Sequence, residues 1–398
     1  MNFRTIAMAG AVALAASGVS AQEMRGVTKT EIKLGQTMPY SGPVSAFSML
    51  GKSEIAYFQM LNEKGGINGR KVNLISYDDG YVPPKTVEQT RKLVEQDEVA
   101  LIFSTIGTAH NTATAKYLQS KNVPQLFIGS GASKFDDIAN YPMTIMGIQG
   151  SFRYEARIYA RHALAQNREA KFAILAQNDD FGRDYIAGVR DVLGADFDKR
   201  VTVAPYEFTD PTIDSQITTL KATGADVLIG AVTPKFAAQM IRRVYELGWK
   251  PQFFLANVAI WISSVMEPAG VEKGVGIMSS AYVKDPMDPA WKDDAGLKGF
   301  LEFMKRYMPG QDYRDQNFVN GYNSAMVLEA VLRACGDDLS TANIMKQAQA
   351  IRDMELPMLL PGIKVSTGPH DHMPVKQMQM MRFDGRQWVR FGDVQTGR

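Results

Sequence analysis

Short apolar runs alternate with amphipathic helical patterns along most of this chain, at the period of about 25 to 35 residues that one strand and one helix occupy together. This alternation restricts the fold more than any other feature. Strands are expected over 32–38, 72–77, 99–103 and 125–128, with helices over 48–63, 86–97 and 112–118 between them. Ile55, Phe58 and Leu61 fall at helical spacing in the first helix, and Pro83 and Pro84 open the second. Near 144–150 the pattern restarts instead of ending. A helix over 151–166 leads into strands over 172–176, 201–208, 225–231 and 252–256, separated by helices that end near 193, 222 and 247. A strand over 275–282, helices over 290–307, 318–334 and 342–352, and a hairpin turning at Asp384-Gly385 complete the chain. Two consecutive sets of β-α units predict an α/β protein with two similar lobes. No low-complexity stretch separates them, so short ordered crossovers are expected rather than a tether.

With 398 residues, 45% of them hydrophobic and 22% charged, the chain is long enough for two domains, each with its own core. Its 44 basic and 42 acidic residues leave a formal charge of +2 with no block of one sign, which argues against nucleic acid or an acidic membrane surface as partner. Residues 1–21 read as a secretory signal peptide. Arg4 supplies the positive start, 6–18 are apolar and small, and Val19-Ser20-Ala21 fits the cleavage pattern before Gln22. No later run approaches the roughly 20 apolar residues of a membrane span, so a soluble exported protein is expected. Cys335 is the only cysteine, which rules out an internal disulfide and suggests a small buried thiol.

Catalytic and cofactor signatures are not found. Gly51-Lys52-Ser53 ends like a phosphate-binding loop, but Ala46 stands where the first glycine belongs. Gly274-Val275-Gly276 has Ser279 in place of a third glycine. His370-Asp371-His372 lacks a third ligand at suitable spacing and reads as an exposed turn. No Gly-x-Ser-x-Gly elbow with a plausible base appears. Neither an enzyme nor a metal or cofactor site is expected. In the tail, Met378, Met380 and Met381 alternate like a strand with one buried face.

The stretch 123–137, VPQLFIGSGASKFDD, reads as a short strand breaking at Gly129, Ser130 and Gly131 and opening a helix at Ser133. Such a junction offers unpaired N–H groups and hydroxyls above a strand end, where open α/β sheets bind ligands. Ser133 with Asp136 three residues on also fits a plain helix cap.

Together the motifs resemble the periplasmic solute-binding proteins of ATP-driven importers, of the leucine-isoleucine-valine type. The marks are Ser41-Gly42-Pro43, the run Asn62 to Arg70 (NEKGGINGR), Tyr77-Asp78-Asp79, Gly129 to Ser133 (GSGAS), Asp180-Phe181-Gly182 and Gly321-Tyr322-Asn323. The resemblance implies two Rossmann-like lobes joined by three crossover strands, with a solute held in the cleft between them. It returns the late helices to the first lobe, giving 27–148 with 283–358 as one body and 149–282 with 359–398 as the other. It further implies a periplasmic protein, a monomer, that delivers a small carboxylate to membrane permease subunits. Gly107 and Thr108 match one loop that grips the solute's carboxylate, and Gly131, Ala132 and Ser133 match the other. Phe181 matches an aromatic cover from the second lobe, and Phe47 lies in a loop that adds an aromatic wall from the first.

One departure bears on the solute. Amino-acid binders of this type carry an acidic residue for the ammonium group where this chain has Asn257, and an aromatic where it has Val232 and Thr233. A buried ammonium without a carboxylate partner is costly, whereas an amide satisfies a neutral polar group. A hydrophobic or aromatic carboxylic acid is therefore expected, with Asp179 or Asp180 as the alternative source of negative charge for an amino acid. An exported enzyme and a sensing receptor domain on the same scaffold are the competing readings from other classes.

Overall fold

The structure is a computed structural model describing residues 24–397. The expected signal peptide over 1–21 lies outside the described residues. The first sheet contains β1 (Glu31–Met38), β2 (Lys71–Asp78), β3 (Leu101–Phe103), β4 (Gln125–Ile128) and β5 (Thr144–Met146), in spatial order β2-β1-β3-β4-β5 and parallel throughout. Helices α1 (Ser48–Glu63), α2 (Pro83–Glu95) and α3 (Thr108–Ser120) are its crossovers. Parallel strands need such helices to bring the chain back, which is why the alternation in the sequence is so regular.

The second sheet contains β6 (Phe172–Gln177), β7 (Val201–Tyr206), β8 (Val227–Ala231), β9 (Gln252–Leu255), β10 (Met278–Ala281), β11 (Gln377–Phe383) and β12 (Trp388–Thr396), in order β12-β11-β10-β9-β8-β6-β7. Its pairings are parallel except at β11, which runs antiparallel to β10 on one side and to β12 on the other. Helices α4 (Phe152–Gln166), α5 (Asp180–Leu193), the short α6 (Phe197–Arg200), α7 (Asp214–Ala222), α8 (Pro234–Glu246) and the single turn α9 (Glu267–Ala269) belong with it. The later helices α10 (Ala295–Tyr307), α11 (Asn317–Ala334) and α12 (Thr341–Ala348) go back to the first lobe. There α11 lies along α1, with Ser53 Oγ donating to the Phe318 carbonyl at 2.8 Å. A Cβ at Gly321 would sit 2.4 Å from the Leu50 carbonyl oxygen, so a glycine is needed at this crossing.

The chain passes between the sheets after β5, after β10 and ahead of β11. The passages lie side by side: the Leu360 N–H donates to the Tyr282 carbonyl at 2.9 Å and the Met146 N–H to the His372 carbonyl at 3.0 Å. Residues 359–373 follow this joint, which buries His372 and leaves its Nε2 3.0 Å from Gln349, where the sequence suggests an exposed turn. Cys335 is buried, and burial pushes its thiol up to about 12.

Three further expectations change. Instead of two separate cores, one buried cluster runs from Leu34 and Phe103 of the first lobe to Leu228 and Phe236 of the second, because the lobes touch across the cleft. β11 is buried on both faces, with Met378 and Met380 in one cluster and Met381 in another. The helix expected from Ser133 is only a 3-10 turn, Ser133–Asp136. Its capping pair is diverted: Ser133 Oγ donates to Asp184 at 2.7 Å, and Asp136 accepts the His372 N–H at 2.7 Å.

Candidate ligand-binding site

Loops at the carboxyl ends of strands from both sheets enclose a cavity between the lobes. About 50 Å³ is open to the centre of a water-sized sphere, several times the roughly 10–15 Å³ that one water requires, which suits a small solute. Phe47 follows β1, Tyr81 follows β2, Gly107 and Thr108 follow β3, and Gly129 follows β4. From the second lobe come Phe181 after β6, Thr233 after β8, and Asn257 with Trp261 after β9. Phe152, Tyr282, Asn317 and Asn320 fill the sides near the joint.

The wall from the first lobe combines the backbone at Gly107 and Gly129 with the side chains of Phe47, Leu50, Tyr81 and Ile106. Helix α3 begins at Thr108, four residues earlier than its sequence pattern suggests, so Gly107 becomes its N-cap. Gly107 has φ +106°, and a Cβ there would lie 2.2 Å from His110 Nδ1; no other residue fits. Its N–H donates to the Gly129 carbonyl at 3.1 Å. The opening N–H groups of α3, with no acceptor inside the helix, are thereby aimed where an anion would be stabilised. Thr108 Oγ1 lies 2.7 Å from Ser130 Oγ, a hydroxyl pair at the same end. Burial holds the His110 imidazole below its ordinary range, so it adds no positive charge here. Tyr81, at φ +61°, holds its ring 4.1 Å from His110 at a tilt of 38° and reaches Phe208 of the second lobe at 5.7 Å.

The loop after β4 behaves differently from its sequence reading. Gly129 reaches the cavity, but Gly131, Ala132 and Ser133 do not line it. The Gly131 carbonyl accepts the Phe152 N–H at 3.0 Å, and a Cβ at Gly131 would meet the Gly150 carbonyl oxygen at 2.4 Å. Ala132 is wholly buried among α4 and α5 side chains. Ser133 donates its N–H and its hydroxyl to Asp184 at 2.6 and 2.7 Å. The donors expected to grip a solute's carboxylate thus hold a carboxylate of the other lobe, and burial pushes Asp184 up to about 6. Beside it Lys134 pairs with Asp180 at 2.6 Å.

The wall from the second lobe is built from side chains. Phe181 sits edge-on to Phe152 at 4.7 Å, and Trp261 meets Phe47 edge-on across the cleft at 5.1 Å. Val232 is buried in the core and off the cavity; its neighbour Thr233 lines it instead, with its N–H donating to the Tyr206 hydroxyl at 3.1 Å. Asn257 is only 5% exposed, and neither end of its side-chain amide has a hydrogen-bond partner. A buried amide left this way costs about 1–3 kcal/mol, which a polar group on a solute would remove. Asp179 is occupied in capping α5 through the Phe181 and Gly182 N–H groups at 3.0 and 3.3 Å, and Asp180 also pairs with Arg183 at 2.7 Å. Neither lines the cavity.

Among the described lining residues none is Asp, Glu, Lys, Arg or His. Among the described residues, no group of three His, Cys, Asp or Glu side chains could hold a metal ion. Sequence reasoning missed Tyr81, Phe152, Trp261 and Tyr282. Their shared signal is position: each stands within a few residues of a strand's carboxyl end, as Tyr81 does in Asp78-Asp79-Gly80-Tyr81.

A family model described as periplasmic binding protein matches residues 31–387. The Leu/Ile/Val-binding protein homolog 7 of Brucella suis biovar 1 (strain 1330) is 24% identical over 348 residues, covering 82% of this chain and 82% of that protein. Among solved structures, a branched chain amino acid ABC transporter from Thermus thermophilus with bound valine superposes with a TM-score of 0.81 at 15% identity, covering 93% of this chain and 97% of that one. An ABC transporter solute binding protein from R. palustris in complex with benzoate superposes with a TM-score of 0.75 at 20% identity, covering 91% and 96%. Because the matched span runs from the first residue of β1 to the turn before β12, taking in both lobes and the cavity between them, this chain belongs to the periplasmic binding protein family.

Proposed function

We propose that the protein is the solute-binding component of an ABC importer, taking a small hydrophobic or aromatic carboxylic acid into the cleft and passing it to membrane permease subunits. Residues 1–21 direct it to the periplasm, where it acts as a monomer without catalysis, metal or cofactor. Capture is a population shift: a solute touching both walls favours the closed lobes over the open ones. The two bodies, 27–148 with 283–358 and 149–282 with 359–398, move about the joint formed by the three passages.

The observation that carries the solute class is the uncharged lining, with α3 opening at one wall and the free Asn257 amide on the other. A carboxylate is served by helix N–H groups and the Thr108 hydroxyl without a cation. An ammonium would find no counter-charge and would lose its hydration uncompensated. Aromatic walls from Phe47, Phe181 and Trp261 suit a flat or branched apolar body.

The test is a titration of the exported chain, 22–398, with benzoate, 4-hydroxybenzoate, phenylpropanoate, butyrate and leucine, followed by calorimetry and thermal unfolding. A solute at a hundred times its Kd should add about 2.7 kcal/mol of stability. One or more of the acids should bind and leucine should not. Binding of leucine alone would favour the second reading, a branched-chain amino acid binder, which the valine complex of the Thermus thermophilus protein brings forward. Conversion of any bound compound to a product would favour an enzyme.

A further inference from the structure

Glu155 lies in the first turn of α4, wholly buried, behind the wall that carries Asn257. Its Oε1 accepts the Tyr159 hydroxyl, the Ser280 hydroxyl at 2.5 Å and the Asn257 backbone N–H at 3.2 Å, while Oε2 accepts the Tyr185 hydroxyl. One carboxyl therefore ties α4, α5, β10 and the loop after β9 together at a point. Stability is a poor explanation for it, because a buried acid is costly to desolvate and well-packed apolar groups usually serve a core as well or better. Asn257 gives a better one. No partner holds its side-chain amide, so the direction in which that amide points depends on its backbone, and the backbone N–H is held by Glu155.

We propose that Glu155 is the positioning residue of the solute site: by accepting the Asn257 N–H it fixes the loop after β9 with the free amide turned into the cavity. The inference rests on the reading of Asn257 as a solute contact. It also implies a dependence on pH. A carboxylate has room for four donors, whereas a neutral carboxyl must place its own O–H and gives up an acceptor position. The surrounding hydroxyls can turn to accept that O–H, whereas the Asn257 N–H, the longest of the bonds at 3.2 Å to Oε1 and 3.5 Å to Oε2, can only donate to oxygens that have lost their charge, so it is the one weakened.

Burial pushes Glu155 up to about 7. The groups around it do not compete in that range. The Tyr159 and Tyr185 phenols are driven far up by burial and by Glu155 itself, and Tyr282 likewise. Ser279 and Ser280 do not titrate, and Asp184, which acts on Tyr185 from α5, lies lower at about 6. The Asn257 loop is therefore held above pH 7 and loosened below it.

Nuclear magnetic resonance of the ligand-free exported chain tests this directly. The Asn257 backbone amide should shift with a midpoint near pH 7 and lose exchange protection below it, while the Gly107 amide on the other wall stays constant. Glu155→Gln should abolish that titration, and Tyr185→Phe, which leaves the Asn257 contact in place, should retain it. With benzoate as probe, the wild type should bind about tenfold more weakly at pH 6 than at pH 8, and Glu155→Gln should bind at the weaker level at both. An Asn257 amide that does not titrate in the wild type overturns the proposal even if Glu155→Gln fails to fold. A titrating amide in a protein that ignores every acid tested supports the hold of Glu155 on the loop and sinks only the carboxylate reading.

Discussion

Where β3 ends, the first lobe brings Gly107 and the start of α3 to the cavity; where β9 ends, the second lobe brings Asn257 and Trp261 to the same space. The first wall adds the backbone of a helix start to the Phe47 and Tyr81 rings, whereas the second is side chains set largely by loops. Each lobe also buries an acid. Glu54 of α1 is wholly buried, accepts Gln36 Nε2 at 2.5 Å, and through Gln36 and Ser76 extends to Tyr40, inside the first lobe. Glu155 instead reaches the loop that lines the cavity. The difference teaches a division of labour. On the proposed carboxylic-acid reading, backbone donors would recognise what every acid has in common, and the side chains opposite would choose among acids.

The sharpest way to break that comparison is to fill the first wall. Gly107→Val places a branched side chain at φ +106° and against His110, at a cost of about 2–3 kcal/mol in backbone strain alone. Because it also displaces the start of α3, benzoate binding should fall more than about a hundredfold by calorimetry, a loss of roughly 2.7 kcal/mol. Guanidinium unfolding should report the strain. Retained affinity with lowered stability would move the acid's grip away from α3.

Next comes the opposite wall. Asn257→Asp puts a carboxylate into an uncharged cavity, where it repels an acid and welcomes an ammonium. Benzoate affinity at pH 8 should drop about a hundredfold and leucine should begin to bind, which calorimetry with both compounds would read. If the two compounds keep their order, the second wall does not select the solute's charge.

The lobes were legible in the sequence because strands buried on both faces write continuous apolar runs, such as 225–231, and their crossovers write helical periodicity between them. Phe47, Gly107, Thr108, Phe181 and Asn257 were named through the family resemblance, and all five line the cavity, as loops at strand ends do. Gly131 and Ser133 do not. Their donors and acceptors are claimed by Phe152 and by Asp184, 51 residues beyond Ser133 in the chain, and no local pattern reveals a distant competitor. Glu155 was hidden for the same reason. In the run Arg153-Tyr154-Glu155 it reads as an exposed helical acid, and only the tertiary fold brings Tyr185, Ser280 and Asn257 to it.

A milder change sharpens the comparison. Phe181→Ala removes one ring from the second wall and leaves the grip of the first intact. Losing an aromatic contact of this kind should weaken benzoate binding about tenfold, or 1.4 kcal/mol, and an aliphatic acid such as butyrate by less. Equal losses for both would mean that the ring closes the cleft without discriminating between solutes.

The smallest effect on binding is expected at Asp184, which joins the lobes without touching the cavity. Its carboxyl is raised from the ordinary 3.8 to about 6 by burial, against the two Ser133 donors that favour its charged form. The native state therefore binds the proton more tightly than the unfolded chain does. The stability linked to this group is fully present below about pH 4 and is lost as pH rises through 6, by up to about 3 kcal/mol. Glu155 and Asp315 are raised by burial too, to about 7 and about 6, and burial also raises Glu54, Asp179 and Asp285, so the wild-type profile mixes them all. The Asp184→Asn variant isolates one of them. An amide keeps an acceptor for Ser133 without the buried charge, so the stability of the variant relative to wild type should increase between pH 4 and pH 7, while benzoate affinity at pH 8 changes less than about threefold. A constant difference across that range would mean that Asp184 is as well solvated by Ser133 as by water. The bond between the lobes would then be an ordinary surface contact and not a buried one.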